Sequence, residues 1–280
     1  EEGKMLFMIN GVVLNDMVYG SDILGHRSPL ANIKRIEVIR GAGSSLYGGL
    51  AALGVINIIT KNGQEINGHD LSFSAGLSNK NPSRLLTNYN YGGILLKGIE
   101  LTVTGLINSG NRSNEELVLP DSTKTNFRDS SLVNNVHIFF TLKYKNLVFK
   151  ELYEDYNFQS TYEPIASLCR TSITDISNTF KFKKISFTPF GNYKWQIPWN
   201  TQYGDPGIYD VQNIITKRLT LGFNSAYKPT NWLSFIVGSQ YYNDNFRHHR
   251  KTLVLKSGQY VQSINGYNAY AEATFSTKIV

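Results

Sequence analysis

The chain has 280 residues, enough for one or two domains, and only 18% of them are charged, against about 25% in ordinary soluble proteins. Its net charge of +7 comes from scattered lysines and arginines that form no continuous basic stripe, which argues against a nucleic-acid partner. No run of about 18 apolar residues occurs, which excludes a transmembrane helix. The single cysteine, Cys169, permits no internal disulfide.

The first 62 residues predict a short mixed region of strands and turns. Residues 5–10 read as a strand that ends at Asn10-Gly11, a pair that suits a turn with positive φ. A second strand begins at Ile33 and stops abruptly at Gly41. Residues 55–60 form a third apolar run, so we expect these strands to pack together.

Residues 33–61 are the most informative segment: I-K-R-I-E-V-I-R-G-A-G-S-S-L-Y-G-G-L-A-A-L-G-V-I-N-I-I-T-K. The phrases R-G-x-x-S-x-L-Y-G and G-V-I-N-I-I-T-K resemble the C-terminal half of the plug domain of TonB-dependent outer-membrane receptors. Three positions depart from the usual family pattern: Asn10, Ala42 and Leu53. The plug-motif residues are Asn10, Gly11, Glu37, Arg40, Gly41, Gly43, Ser45, Tyr47, Gly48, Gly54 and Asn57.

From about His69 onward, apolar and polar residues alternate, which is typical of half-buried strands. Leu71, Phe73 and Leu77 fall on one face of the first strand, and Leu219, Leu221 and others repeat the pattern later. About ten strands are predicted, near 69–78, 85–96, 99–108, 132–144, 146–157, 173–183, 185–195, 211–227, 231–247 and 263–279.

The connections between these strands alternate in length. They are short at 97–98, 145, 184 and 228–230, and long and polar at 109–131, 158–172, 196–210 and 248–262. Bacterial membrane barrels have such tight periplasmic turns and extended outer loops. The predicted fold is mostly β: a partial α+β plug domain at 1–62, followed at 63–280 by an incomplete antiparallel transmembrane β-barrel. About ten of the roughly 22 strands of a plugged transporter barrel are present, so we expect a piece of a longer receptor.

No catalytic constellation is apparent, and we predict neither an enzyme nor a bound cofactor or metal. The run G-A-G-S-S-L-Y-G at 41–48 fits neither the dinucleotide fingerprint nor a phosphate loop. Two adjacent histidines are too few for a closed metal site.

Two groups of residues are candidate ligand contacts in the outer loops. Arg247, His248 and His249 belong to a basic run that either is solvated beside lipopolysaccharide phosphates or contacts an anionic ligand such as a ferric chelate. Trp195, Trp199 and Tyr203 either stack on a bulky ligand or belong to the interfacial aromatic girdle. Both pairs of alternatives stay open.

Glu37 and Arg40 also have two interpretations. They form either a surface ion pair worth under about 1 kcal/mol or, as the resemblance implies, a lock that joins the plug to carboxylates of the barrel wall. We favour the lock, with its barrel carboxylates in strands outside this chain.

The resemblance implies a function. A TonB-dependent receptor in the outer membrane of a Gram-negative bacterium imports a scarce nutrient too bulky for porins, with ferric siderophores as the favoured cargo. Haem, cobalamin or oligosaccharide are alternatives, as is a passive outer-membrane channel. The implied partners are TonB, through a segment outside this chain, a small-molecule nutrient, and outer-membrane lipid and lipopolysaccharide.

Overall fold

The computed structural model describes most of the chain. The described residues are 4–18, 20, 27–41, 51–78, 81–111, 116–118, 122–126, 131–159, 166–201, 214–248 and 261–276. They form a small N-terminal sheet and a large antiparallel sheet. Within these ranges, no helix is long and apolar enough to cross a membrane.

The small sheet has four strands in the order β2-β1-β4-β3. Its strands are β1 (Met5–Ile9), β2 (Val12–Val13), β3 (Ile33–Arg40) and β4 (Gly54–Thr60). β1 pairs parallel with β4, and the other two pairings are antiparallel. Gly54 is required where β4 meets β3, because an added Cβ would lie 2.6 Å from the carbonyl oxygen of Ile39.

A one-turn helix, α1 (Gly63–Ile66), connects the two sheets. Asn62 and Glu65 form a capping box in which each side chain accepts the other residue's backbone N–H, both at 2.9 Å. Lys34 on β3 pairs with Glu65. The Lys34 hydrogen bond and the Asn62 N–H lower the pKa of Glu65. The helix is thereby tied to the small sheet by a charged contact.

The large sheet contains ten long strands that neighbour one another in chain order, with one short strand beside them. β8 (Glu116–Val118) and β9 (Lys124–Asn126) form a separate hairpin, inside the predicted loop 109–131. Among the described residues the sheet is not closed: β5 and β17 are its two edges. The strands are β5 (Gly68–Ser78), β6 (Asn81–Ile94), β7 (Ile99–Asn111), β10 (Leu132–Tyr144), β11 (Leu147–Gln159), β12 (Ala166–Asn178), β13 (Phe180–Phe182), β14 (Ile185–Thr201), β15 (Ile214–Tyr227), β16 (Leu233–His248) and β17 (Val261–Phe275).

The two faces of the large sheet differ as the alternation predicts. Its outer face carries Leu71, Phe73 and Leu221, which are 55%, 69% and 50% exposed. The inner face carries Phe139 and Leu152, which are at most 2% exposed. The apolar residues of the predicted outer face therefore do not form an interior core, which confirms the barrel-type arrangement.

The short turns lie where the sequence predicts them, but two outer loops are shorter than predicted. β11 and β12 extend into the predicted loop 158–172, and β14 continues to Thr201. Trp195 and Trp199 are therefore strand residues, and their placement in an outer loop was wrong. The inner positions here are Thr171 and Gln196, both buried. Backbone pairing continues where the apolar pattern has disappeared, because the ladder does not depend on side-chain type.

Gly110 provides a test of strand packing. An added Cβ there would lie 2.3 Å from the carbonyl oxygen of Ser83 on β6, whereas the nearest atom to a Cβ at Gly105, on the same strand, is 3.9 Å away. We expect Gly110→Ala to destabilise the sheet by about 1–3 kcal/mol because the backbones must separate. Gly105→Ala, the control, is expected to be near neutral. Urea midpoints of the complete protein measure both, and equal midpoints would contradict the prediction.

Candidate functional site at the interface of the two sheets

The small sheet packs against the inner face of the large one. Ile9, Val12 and Ile58 of the small sheet form one buried cluster with Phe139, Leu152 and Ile173 of β10, β11 and β12. All six side chains are 7% exposed or less. This apolar contact excludes water from the middle of the interface, so nearby polar contacts lie in a low-dielectric environment.

A buried ion pair lies beside that cluster. Arg27, in the segment between β2 and β3, pairs with Glu154 of β11, and each residue is 7% exposed. Nδ1 of the buried His137 lies 3.7 Å from Glu154 Oε1, and the Arg27 guanidinium lies 5.2 Å from the centre of the Tyr156 ring. The pair joins residues 127 positions apart in sequence. Removing either charge would leave the other desolvated without this counter-ion.

A small cavity adjoins the pair. Its volume is about 10 Å³, and Ser28, His137, Glu154 and Thr171 contribute to its lining. Neither ring nitrogen of His137 has a hydrogen-bond partner among the described residues. The space and polar lining suit one water molecule, which would bridge the imidazole to its neighbours.

Three side chains of the large sheet donate to backbone carbonyls of the N-terminal segment. Lys150 Nζ donates to the carbonyl of Asn10 at 2.9 Å, and Lys194 Nζ to that of Asn15 at 3.1 Å. Asn135 Nδ2 donates to the carbonyl of Arg27 at 2.8 Å. Because backbone carbonyls are the acceptors, these contacts fix the position of the segment rather than recognise its side chains.

The predicted Asn10-Gly11 turn forms part of this contact. Both residues have positive φ, 47° and 80°, as the residue types predict. The Asn10 amide donates to Thr60 Oγ1 at 2.7 Å, and the Gly11 N–H donates to Asn57 Oδ1 at 3.1 Å. The plug-motif residues Asn10, Gly11 and Asn57 are thus brought together, in the turn that Lys150 contacts.

Glu37 and Arg40 lie away from this interface. Glu37 accepts hydrogen bonds from Arg35 Nε at 2.8 Å and from Asn57 Nδ2 at 3.4 Å, so its partners lie within the small sheet. Both residues are exposed on β3, an edge strand. No hydrogen bond or ion pair joins either one to the large sheet among the described residues. The role of this pair as a lock to other strands stays a prediction.

Sequence reasoning missed the ion pair that is observed. The charged residues of β11 disturb its apolar alternation, but the face on which each charge lies indicates whether it contacts the predicted plug. Lys150 and Glu154 share the phase of Leu152 and face inward, whereas Glu151 and Asp155 face outward. An inward charge on a strand that encloses another domain predicts a partner on that domain. The identity of Arg27 as the partner required the tertiary structure.

The remaining candidate residues are placed as follows. Gly41 has φ 93°, a conformation that glycine accepts, and its N–H donates to the carbonyl of Leu53 at 3.0 Å. Trp195 is half-buried on β14, and Arg247 is exposed at the end of β16. No group of His, Cys, Asp or Glu that could hold a metal occurs in the described ranges. Gly43, Ser45, Tyr47, Gly48, Tyr203 and His249, and the side chains of Trp199 and His248, lie outside the described residues.

Comparison with known proteins agrees with this geometry. Residues 2–55 match the family model of the TonB-dependent receptor plug domain. The chain is 35% identical over 94 residues to the vitamin B12 transporter BtuB of Vibrio vulnificus, covering 33% of this chain and 15% of that protein. It is 48% identical over 56 residues to BtuB of Photobacterium profundum, covering 20% and 9%.

Solved receptors share the fold over nearly the whole chain. The siderophore receptor PirA of Pseudomonas aeruginosa matches with a TM-score of 0.67 and 15% identity, over 99% of this chain and 46% of PirA. The FrpB iron transporter of Neisseria meningitidis matches with a TM-score of 0.69 and 13% identity, over 99% and 48%. The chain spans about half the length of these receptors.

A small sheet held against the inner face of an open antiparallel sheet is the arrangement expected for part of a plugged β-barrel. The plug match at residues 2–55 and the shared fold support the interpretation of this chain as part of a TonB-dependent receptor. The small sheet is accordingly the plug, and the large sheet is barrel wall.

Proposed function

We propose that the complete protein is a TonB-dependent outer-membrane transporter that imports a scarce, bulky nutrient, with a ferric siderophore as the favoured cargo. TonB, energised from the inner membrane, would pull on the plug and open a path along the barrel wall. The support comes from the plug sequence match and from a fold shared with siderophore and iron receptors. TonB, the outer-membrane location and the cargo belong to the proposal.

The Arg27–Glu154 pair is the observation that carries this proposal. Buried charge pairs contribute less net stability than apolar contacts, because both ions recover hydration once they separate. Such a contact holds the plug in one position but costs comparatively little to break completely. That behaviour suits a plug that must stay seated at rest and move under a pulling force.

Cobalamin is the second candidate cargo. It is favoured by the sequence matches to B12 transporters, whereas the siderophore is favoured by the solved structures of similar fold. Arg247, exposed at the outer end of β16, would attract an anionic ferric chelate. Trp195 alternates with the buried Lys194 and Gln196 and faces outward, away from a cargo inside the barrel. The charge of the ligand therefore distinguishes the two cargoes.

Uptake in cells tests the proposal. The complete receptor would be expressed in a strain lacking its own siderophore and cobalamin receptors, and supplied with ⁵⁵Fe-siderophores or ⁵⁷Co-cobalamin. We expect accumulation of iron that disappears when TonB is deleted. Cobalamin accumulation alone would select the second cargo. Uptake that continues without TonB would indicate a passive channel and overturn the proposal.

A further inference from the structure

The outer surfaces of β11 and β12 are unusually polar for a barrel wall. On β11, the positions that alternate with the inward Leu152 and Glu154 include Glu151 and Asp155. On β12, the outward positions include Arg170, Ser172 and Thr174. These five outward residues form one patch, which we name the outer polar stripe. The stripe is notable because the proposed function places it in the outer membrane, and its interpretation rests on that location.

The stripe lies between apolar surfaces at the same level. Phe140 of β10 is the cross-strand partner of Glu151, and Val136 is the partner of Asp155. On the other side, Tyr193 of β14 pairs with Thr174, and Trp195 pairs with Ser172. Glu151 lies four residues beyond Leu147, where β11 begins, about 13 Å along the strand, and Asp155 lies about 26 Å along it. Barrel strands tilt by about 40°, so both heights fall inside the lipid-facing band, which is about 25 Å tall. Charged side chains are costly in this band and are a sign of function.

The two strands contribute opposite chemistry. The outward positions of β11 carry two carboxylates and no cation, and those of β12 carry one guanidinium and two hydroxyls and no acid. Within one chain, Arg170 Nε and Nη2 donate to Asp155 Oδ2 at 2.9 and 2.5 Å. Ser172 and Thr174 donate to Glu151 at 3.0 and 2.6 Å. Each carboxylate has further lone pairs available for a second donor.

We propose that the outer polar stripe is the contact surface for a second copy of this receptor. A two-fold axis along the membrane normal, through the seam of β11 and β12, places β11 of one copy against β12 of the other. This rotation keeps each residue at the same height above the membrane plane. In the pairing of β11 with β12, Asp155 lies opposite Arg170 and Glu151 lies opposite Thr174. Asp155 therefore meets the second copy's Arg170, and Glu151 meets its Thr174. Every acid faces a donor, as an isologous interface requires.

A phospholipid headgroup fits the stripe less well. Headgroups lie at the edges of the apolar band, level with aromatic girdles such as Tyr144, which ends β10 at the turn. They do not reach the level of Phe140, where Glu151 lies. The outer polar stripe of a second copy presents polar groups at this same level, and side-chain hydrogen bonds between membrane segments stabilise their association.

Co-purification of two tagged forms of the complete receptor tests the proposal. Asp155→Arg chains carry two cations at this level of the stripe, and Arg170→Asp chains carry two acids. Either variant alone breaks its internal pair and repels its own copies. When the two variants are mixed, the arginine introduced in one chain faces the aspartate introduced in the other. The native Arg170 of the first chain then faces the native Asp155 of the second, so only the mixed pair regains complementarity.

We expect wild-type forms to co-purify from native outer membranes in mild detergent. When both tagged forms carry Asp155→Arg, or both carry Arg170→Asp, we expect about tenfold less of the second tag to co-purify. Like charges that face each other at an interface weaken the affinity between the two copies by more than about tenfold. The mixed pair is expected to return to the wild-type level. A purely internal role for the ion pair would leave the mixed pair as weak as either variant alone, which overturns the proposal.

A matched control and a folding readout complete the experiment. Charge reversal of the exposed pair Glu116–Lys124 on the β8–β9 hairpin is expected to leave co-purification unchanged. Heat-modifiable gel migration and membrane fractionation report whether each form is a barrel in the outer membrane. If a barrel is present there but wild-type tags never co-purify, the stripe proposal fails and the proposed function stands. If no barrel reaches the outer membrane, the proposed function itself fails.

Discussion

Glu154→Gln is expected to weaken the seating of the plug by about 3–5 kcal/mol, the usual cost of breaking a buried charge pair by removing one partner. Glutamine keeps the size and the hydrogen-bonding capacity of the side chain, so the effect isolates the loss of charge opposite Arg27. We expect the plug of the purified complete receptor to become protease-sensitive at a lower urea concentration than in the wild type. Limited proteolysis across a urea series measures this shift.

Glu116→Gln is the matched control for that experiment. Glu116 also pairs with a cation, Lys124 at 2.8 Å, but their side chains are 56% and 70% exposed. Surface pairs contribute about 0–1 kcal/mol. The same chemical change at this site is expected to leave plug release unchanged. Equal shifts for the two variants would show that burial does not decide the contribution of the pair.

Leu152→Ala is expected to weaken plug seating by about 2–5 kcal/mol. Leu152 is 1% exposed and packs in the cluster that contains Ile9, Val12 and Ile58 of the plug. Truncation leaves a cavity at the interface that neither rigid sheet can close. The same urea and proteolysis series measures the loss, while heat-modifiable migration reports whether the barrel itself is intact.

Leu221→Ala removes the same atoms from the opposite side of the wall. Leu221 is 50% exposed on the outer face of β15. It does not belong to the cluster that contacts the plug, so plug release is expected to match the wild type. A shift as large as that of Leu152→Ala would mean that general loosening of the barrel, and not the interface cavity, releases the plug.

The strand pattern was predictable because outer-face residues follow a local rule. Leu71, Phe73 and Leu221 alternate with polar neighbours, and every second side chain of a strand points to the same face. The Asn10-Gly11 turn was predictable for a similar reason, since these residue types accept positive φ. Prediction failed at the ends of β12 and β14, where the inner face carries Thr171 and Gln196. Their burial by other parts of the protein has no local signature.

The sequence by itself determined the succession of strands in the large sheet, the positions of the short turns, the outward apolar face and the plug motif, because each depends on residues near one another in the chain. Only the tertiary structure decided that Arg27 meets Glu154, that Lys150 holds the Asn10 carbonyl, and that Glu37 accepts a hydrogen bond from Arg35. These pairings depend on how one sheet is seated against the other. That arrangement follows from the summed burial of Ile9, Val12, Ile58, Phe139, Leu152 and Ile173, which no single segment encodes.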